Sequence, residues 1–569
     1  MRQKLFPILL FFLLLFSFFL MVRTFSYDAK TNSMLIATKA WSDFGSHIPL
    51  IRSFSMGDNY SRLFNGQAPE YPLFPGEPIR YHFLFYALVG LLEKTGIRID
   101  WALNIPSALG FFFLMVMIWV LAKELFKDTR VAFLSFIFFL FNGSLSFVNF
   151  FKQHPLSLNT PMDIITNSRF PSFGPWDGGL VSAFWNLNIY TNQRHLGLSF
   201  ALIIATLLVI RLTSSVVPAQ AGIQSKKIDS RFRGNDSLTR GFLIGILFSI
   251  LLFTNQAAAG IVVLFLFWFF LIKKDSRLPL LIAGITALPF WFLFTRLTAS
   301  PATITWQPGY LAPAPVTAVS FVKFWIANLG LHVLFIPLGL ALAPRPVKKL
   351  LIVPLVVLFL LPNLFRLSPD MINNHKFFNF FLILGTMSSA YAIVSLSKFL
   401  RNRIGSIGSI CLLVILVTLS GLIDFFPILN DTKGSVLDIR ANPDAQFFAT
   451  QTPADAVVAN STWFYHPASL AGRAIFNGYS YFTWSYGYDQ GAREKLLIKI
   501  YQAKNHIEAC QLLLQHNIAY VELSAKPEGY LIPNWQLWDA LPKRYENKTS
   551  GVSVYATDEL CQNKEAEDL

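Results

Sequence analysis

A chain of 569 residues that is 54% hydrophobic and 15% aromatic carries only 14% charged residues, against about 25% in ordinary soluble domains. Its mean hydropathy of +0.48 and its repeated apolar runs of about 20 residues exclude a soluble globular protein and leave a polytopic helical membrane protein. The formal net charge of +15 does not indicate nucleic acid, because most of the excess lies in short loops between apolar runs, where it reports topology.

The first apolar run, Leu5 to Val22, follows Arg2 and Lys4 and has no small-residue cleavage site after it, so it reads as a retained span rather than a signal peptide. A polar loop, 23–101, comes next. Within it, YHFLFYALVGLLEK (81–94) is apolar but too short to cross, and it reads as an interfacial or re-entrant helix. The positive-inside rule decides between these and a crossing. With 81–94 non-spanning and the N-terminus cytoplasmic, later spans fall near 102–122, 131–150, 196–211, 241–254, 257–272, 278–296, 322–343, 349–362, 377–397 and 406–426. The loops rich in Lys and Arg then all become cytoplasmic: 123–130, 211–240, 273–277, 345–349 and 398–403. The expectation is eleven transmembrane helices, with loops 23–101, 151–195, 297–321 and 363–376 and the tail on the external face.

Segment 214–240 resembles the peptide VPAQAGIQ…DSRFRGND that bacterial repeat elements encode when they insert into genes, and reads as a tolerated cytoplasmic insert. The tail changes composition from about residue 430. DAVVANST, AYVEL and GVSVYAT read as short strands, and REKLLIKIYQAKNHIEACQLLLQHN as helices between them. The expected organisation is an all-α transmembrane domain, 1–429, with juxtamembrane helices in its first loop, and a small extracytoplasmic α/β domain, 430–569. Of three cysteines, Cys411 lies in a span, and Cys510 and Cys561 are available to pair if the tail faces an oxidising compartment.

Groups able to move protons or grip phosphate concentrate in loop 23–101. Asp43 stands between Trp41 and Phe44, with His47 four residues on, so a helix here puts both on one face. Pro49 is expected to kink or end that helix. Asp43 reads either as a general base or as part of a helix cap; Arg52, Asp58 and Glu70 follow it. In PGEPIRYHF, Pro75, Gly76 and Pro78 predict a turn, and Arg80 and His82 the N-terminus of the interfacial helix, placed for a phosphate or as an interfacial anchor. Asp43 and Glu77 are the candidates to hold a divalent cation, Mg or Mn. Two further clusters open spans from outside: Gln193, Arg194 and His195 in YTNQRHL, and His375 and Lys376 in MINNHKFFN. Each reads as a phosphate-binding group or as a span-end anchor. In the tail, His466 and Arg473 are candidates for acceptor binding among many Tyr and Trp residues. No Walker loop, dinucleotide-binding glycine pattern, zinc motif or nucleophile elbow occurs, and no acidic or basic residue is read at mid-span.

The layout around Asp43, together with GIRIDWALNIPSALGFFF (96–113), resembles the GT-C superfamily of glycosyltransferases that use lipid-phosphate sugars, such as protein O-mannosyltransferases and aminoarabinose transferases. ALNIPSAL is similar to that superfamily's ALRLPSAL, with Asn104 in place of the usual Arg. YHFLFY, QRHL, NNHKFFN and the tail's HPASLAGR…GY…YG…RE look closer still to a group of large bacterial multi-pass membrane proteins, which implies a place in the bacterial cytoplasmic (inner) membrane. The resemblance implies inverting transfer of a sugar from a polyprenyl-phosphate donor to an external glycan, lipid or protein acceptor, with Asp43 matching the acidic residue that deprotonates the acceptor hydroxyl. Against this stand a lipid-linked glycan transporter or flippase and a non-catalytic relative that binds glycans.

Overall fold

The computed structural model describes residues 2–172, 174, 180, 182–212, 230–299, 304–400, 406–527 and 531–562. Most of the insert read at 214–240 lies outside them. Seven helices among the described residues are long and apolar enough to cross a membrane: Pro7–Thr24, Ile99–Phe126, Ser237–Thr254, Lys274–Leu297, Arg345–Leu364, Met371–Phe399 and Ile410–Leu429. Ala318–Leu329 and His332–Leu342 make an eighth only if counted together, since they meet at 81°. Thr129–Leu140, Leu196–Ile210 and Gln256–Ile272 are apolar but shorter.

The eleven expected spans therefore correspond to helices, but not to eleven full-length ones. The expected span 322–343 breaks at Gly330, whose φ of +54° closes the first helix. The expected span 131–150 stops at Leu140, and Asn142-Gly143-Ser144 leads to a separate helix, Ser146–Gln153. Gly143 has no room for a Cβ, because the Val417 carbonyl lies against it. Apolar composition alone does not show such breaks.

The chain divides into two compact units. The first, Met1–Arg23, Ile105–Phe294 and Ala302–Thr432, is the helical bundle. Side-chain caps start several of its helices: Asp128 accepts from Arg130 N and Asn255 from Ala258 N. At the end of the first span, Arg23 donates to the Leu429 and Asp431 carbonyls, 2.7 Å each.

The second unit joins Thr24–Asn104 to Thr295–Pro301 and Lys433–Leu569, so the first loop folds with the tail. Phe25–Asp28, Ser33–Ala37 and Lys433–Leu437 form an antiparallel sheet, with Met34 opposite Val436. Asn104, at the position where the resembled motif has Arg, donates to the Phe25 carbonyl at 2.9 Å. A five-stranded sheet runs in the order Tyr545–Asn547, Val552–Ala556, Tyr520–Ser524, Val457–Ala459, Ala474–Ile475. Its last three strands are parallel and the others antiparallel. The three strands read from sequence are all present, as are the helices Gln490–Tyr501 and His506–Gln515 between them. Trp538, Tyr501, Tyr555, Leu497 and Val521 pack as its core.

PGEPIRYHF departs from its expected turn. Phe74–Pro78 is a strand pairing with Glu70–Tyr71, and the chain turns at Pro72-Leu73. Two prolines are tolerated because this strand needs few ladder donors. The Pro72 and Leu73 carbonyls accept from Ile475 N and Gly478 N, each at 2.9 Å, which fastens the hairpin to the edge of the five-stranded sheet. Segment 81–94 contains the helix Leu84–Lys94, whose 11 residues are too few to cross a bilayer.

Cys510 and Cys561 form a disulfide with Cα atoms 5.6 Å apart, joining residues 51 apart in sequence. Replacing both with Ser is expected to cost about 2–4 kcal/mol, since the bridge restricts the unfolded chain. Comparing thermal unfolding of the variant and the parent protein checks this.

Candidate functional site

Asp43 lies in the first turn of the helix Trp41–Ser55, where the amide dipoles favour a carboxylate. The N-cap is Ala40, without a side-chain cap bond, so neither Ser42 nor Asp43 is the cap. Pro49 does not end the helix, which continues to Ser55. The proline costs about 3 kcal/mol or more, but the helix buries Phe44, Ile48, Ile51 and Phe54, each worth about 1.5–3 kcal/mol. Gly45 is required because the Phe464 ring of the tail occupies the space of its Cβ.

Around this first turn stands a cluster of phenols that the sequence reading missed. The charge of Asp43 is felt by Tyr81, Tyr86, Tyr465 and Tyr486. All four phenol pKa values are raised, first by burial; Tyr486 is pushed up to about 12, and Tyr81 and Tyr86 well above the ordinary value. They remain protonated donors at any physiological pH. Tyr81 stacks on Tyr486 with centroids 4.7 Å apart. Tyr465 packs against Trp41 at 4.6 Å and donates to its carbonyl at 2.6 Å. His47, buried on the same helix face as Asp43, packs on Tyr86 at 4.9 Å, and His82, also buried, lies 3.5 Å from the Tyr81 ring. Ser46 shares a hydrogen bond with Tyr71 at 3.1 Å. Two segments nearly 380 residues apart thus bring phenols within the field of one carboxylate, which explains why local sequence patterns did not reveal the site.

Other expected residues of this unit are engaged by the protein itself. Arg52 is buried, with Nε 3.0 Å from Glu93 Oε1 and Nη2 2.9 Å from Asp438 Oδ1; it also donates to the Leu470 carbonyl at 3.1 Å. Arg473 directs its guanidinium at the Met56, Ala471, Ala449 and Thr452 carbonyls and at the Thr452 hydroxyl. His466 is fully buried, 3.1 Å from Glu522, and accepts from Ala468 N. Arg80 is not at a helix N-terminus, because the helix begins only at Leu84. Its cation lies 4.6 Å above the Tyr488 ring, donates to the Gly487 carbonyl, and pairs with Glu77 at 3.2 Å. Among the described residues no three His, Cys, Asp or Glu side chains gather as a metal site.

In the helical bundle, the two span-opening motifs meet. Gln193 Nε2 and His375 Nε2 are 3.2 Å apart, and His375 Nδ1 is 2.8 Å from Asn379 Oδ1. Asn379 donates to the Phe184 carbonyl at 2.7 Å, and buried Lys376 donates to Asn373 at 3.4 Å. Arg194 turns to the first span, donating to Met21 Sδ and its carbonyl at 2.8 and 3.2 Å; His195 is buried beside it in sequence. One acidic group was overlooked: Asp424, buried in the span Ile410–Leu429, accepts from Asn186 at 3.1 Å. A lone Asp in the apolar run LSGLIDFFPIL was the available signal.

The chain matches no protein-family model and no curated protein by sequence. Among solved structures it is similar to ArnT from Cupriavidus metallidurans in the apo state, at 10% identity and a TM-score of 0.49, covering 98% of each chain. The same protein bound to undecaprenyl phosphate is similar at 10% identity and a TM-score of 0.48, over 97% of this chain and 98% of that one. The apo oligosaccharyltransferase of Archaeoglobus fulgidus is similar at 11% identity and a TM-score of 0.44, over 90% of this chain and 69% of that one.

Proposed function

We propose that this chain is a membrane glycosyltransferase that moves a sugar from a polyprenyl-phosphate donor to an extracytoplasmic glycan, lipid or protein acceptor, with inversion. The observation that carries the reading is Asp43: a carboxylate at a helix start whose charge is felt by protonated phenols from the first loop and the tail. In the proposed step Asp43 takes the proton of an acceptor hydroxyl as its oxygen attacks the anomeric carbon, and the polyprenyl phosphate leaves from the opposite face. The phenols supply donors for sugar hydroxyls and rings for sugar faces, and His47 and His82 support them by packing on Tyr86 and Tyr81.

Gln193, His375 and Lys376, polar groups at the head of a span, are the phosphate-binding candidates of the helical unit taken by itself; Arg194 holds the Met21 backbone. Arg52, Arg80 with Glu77, His466 and Arg473 enter as the frame. The distribution of Lys and Arg supports an external Asp43 unit and a cytoplasmic N-terminus, and the reading takes the membrane to be a bacterial inner membrane.

The test uses purified protein in lipid nanodiscs with labelled polyprenyl-phosphate sugars and cell-envelope acceptors. Transfer of label is expected, and Lys376→Gln is expected to raise KM for the donor about tenfold, the loss of one charge-assisted phosphate contact. Donor binding without turnover under every acceptor supports the non-catalytic reading instead.

A further inference from the structure

The second unit contains a cleft of about 670 Å³ that the transfer reading does not use. This volume lies in the range of small-molecule sites. Its polar lining is Glu70, Gly76, Arg493, Gln515, His516 and Asn517. Glu70 is already committed: Arg62 pairs with one oxygen at 2.7 Å, and Gly76 N donates to the other at 2.8 Å. Arg493 differs. Its guanidinium lies 3.5 Å from the Phe74 centroid and donates to the Phe476 and Pro75 carbonyls. Among the described residues it has no carboxylate within ion-pair distance, and burial lowers its pKa to about 10. Glu77 and Glu70 act on it through space but neither reaches ion-pair distance, so the half-buried cation keeps capacity for a further anion.

Gln515, His516 and Asn517 stand where the helix His506–Gln515 ends, and their side chains make no hydrogen bond among the described residues. Gly76, at φ +83°, leaves the backbone open beside Arg493; a Cβ there would stand 3.8 Å from Nη2. A smaller cleft shares Glu70, Pro75 and Val457 with this one and continues it toward Asp58, Arg62 and Asp455, so the groove is elongated and its anion-binding end is the one at Arg493. A peptide strand is disfavoured as occupant, because the sheet edge at Ala474–Ile475 is taken by the hairpin carbonyls of Pro72 and Leu73.

We propose that this groove binds an acidic saccharide, its carboxylate or phosphate held by Arg493 and His516 and its hydroxyls by Gln515 and Asn517. Paired donors and acceptors on neutral amides suit hydroxyl groups, and the guanidinium, which no carboxylate meets at ion-pair distance, selects an anion. The proposal does not depend on transfer at Asp43.

The experiment is calorimetric titration of the full chain in nanodiscs with trigalacturonate, glucose 1-phosphate, neutral maltotriose, inorganic phosphate and an acidic peptide. Trigalacturonate or glucose 1-phosphate is expected to bind at least about tenfold tighter than maltotriose or inorganic phosphate; the tighter of the two tells carboxylate from phosphate. Affinity is expected to fall as salt rises. The double variant Gln515→Ala/His516→Ala changes exposed or half-buried side chains, and is expected to weaken binding about tenfold or more with an unchanged melting temperature. Arg493→Gln is expected to weaken it further. No binding of either acidic sugar, equal binding by the folded double variant, or preference for the peptide overturns the proposal.

Discussion

Asp43→Asn is expected to lower transfer by about 10²- to 10⁴-fold, the range supplied by one positioned general base, while donor binding and thermal stability stay near those of the parent protein. The substitution keeps the shape and one acceptor oxygen, and removes the charge and with it the ability to accept a proton. Because the N-cap is Ala40, Asp43 owes the helix little more than its favourable place in the dipole, worth about 0.3–1 kcal/mol. Loss of activity without loss of fold thus separates base from scaffold. The measurement is transfer of labelled sugar under single-turnover conditions beside a thermal melt. Full activity in Asp43→Asn would sink the assigned role. Replacing Tyr486 by Phe offers a milder control, because the ring stack on Tyr81 is kept and one donor is lost.

The largest loss of stability is expected from Arg52→Met. Arg52, Glu93 and Asp438 form a buried network to which Ser55 adds a 2.6 Å hydrogen bond to Glu93. It fastens the helix Trp41–Ser55 to the helix Leu84–Lys94 and to the tail. Removing one member of a buried ion network leaves the others uncompensated and costs about 3–5 kcal/mol. Glu93 is already pushed above the ordinary carboxylate range by burial, with Arg52 and then Ser55 pulling it back. A carboxyl with a raised folded-state pKa contributes fully below its unfolded pKa, and that contribution is lost as pH rises through the folded value. Without Arg52 the folded value rises further. Arg52→Met should therefore be weakest near neutral pH and recover part of its deficit as the medium is acidified toward the unfolded Glu range. Adding Glu93→Gln should recover part of it at pH 7. Melting curves of the parent, single and double variants across pH decide this, and coincident curves would show that the network carries no load.

Much of the architecture could be read from residues alone. Apolar runs bounded by Lys and Arg marked the helices that cross or nearly cross a membrane, because burial of backbone polar groups in hydrocarbon permits little else. The short strands at Val457–Ala459, Tyr520–Ser524 and Val552–Ala556 showed in the apolar runs of DAVVANST, AYVEL and GVSVYAT. Asp43 and His47 stood out by spacing. Other features depended on distant partners. Gly330 and Gly143 break helices whose composition is continuous, because what decides is the approach of another backbone. Arg52, Arg473 and His466 looked free in sequence and are absorbed by partners up to 418 residues away.

The sequence by itself determined a membrane bundle, a tail with its own sheet, and a loop rich in ionisable groups, since all three follow from local composition and period. Only the tertiary structure decided that Thr24–Asn104 folds with Lys433–Leu569, that Tyr81, Tyr86, Tyr465 and Tyr486 come within the field of Asp43, and that Gln193 meets His375. Those pairings are long-range contacts, set by strand register and by close packing at positions such as Gly45, and no local pattern encodes them.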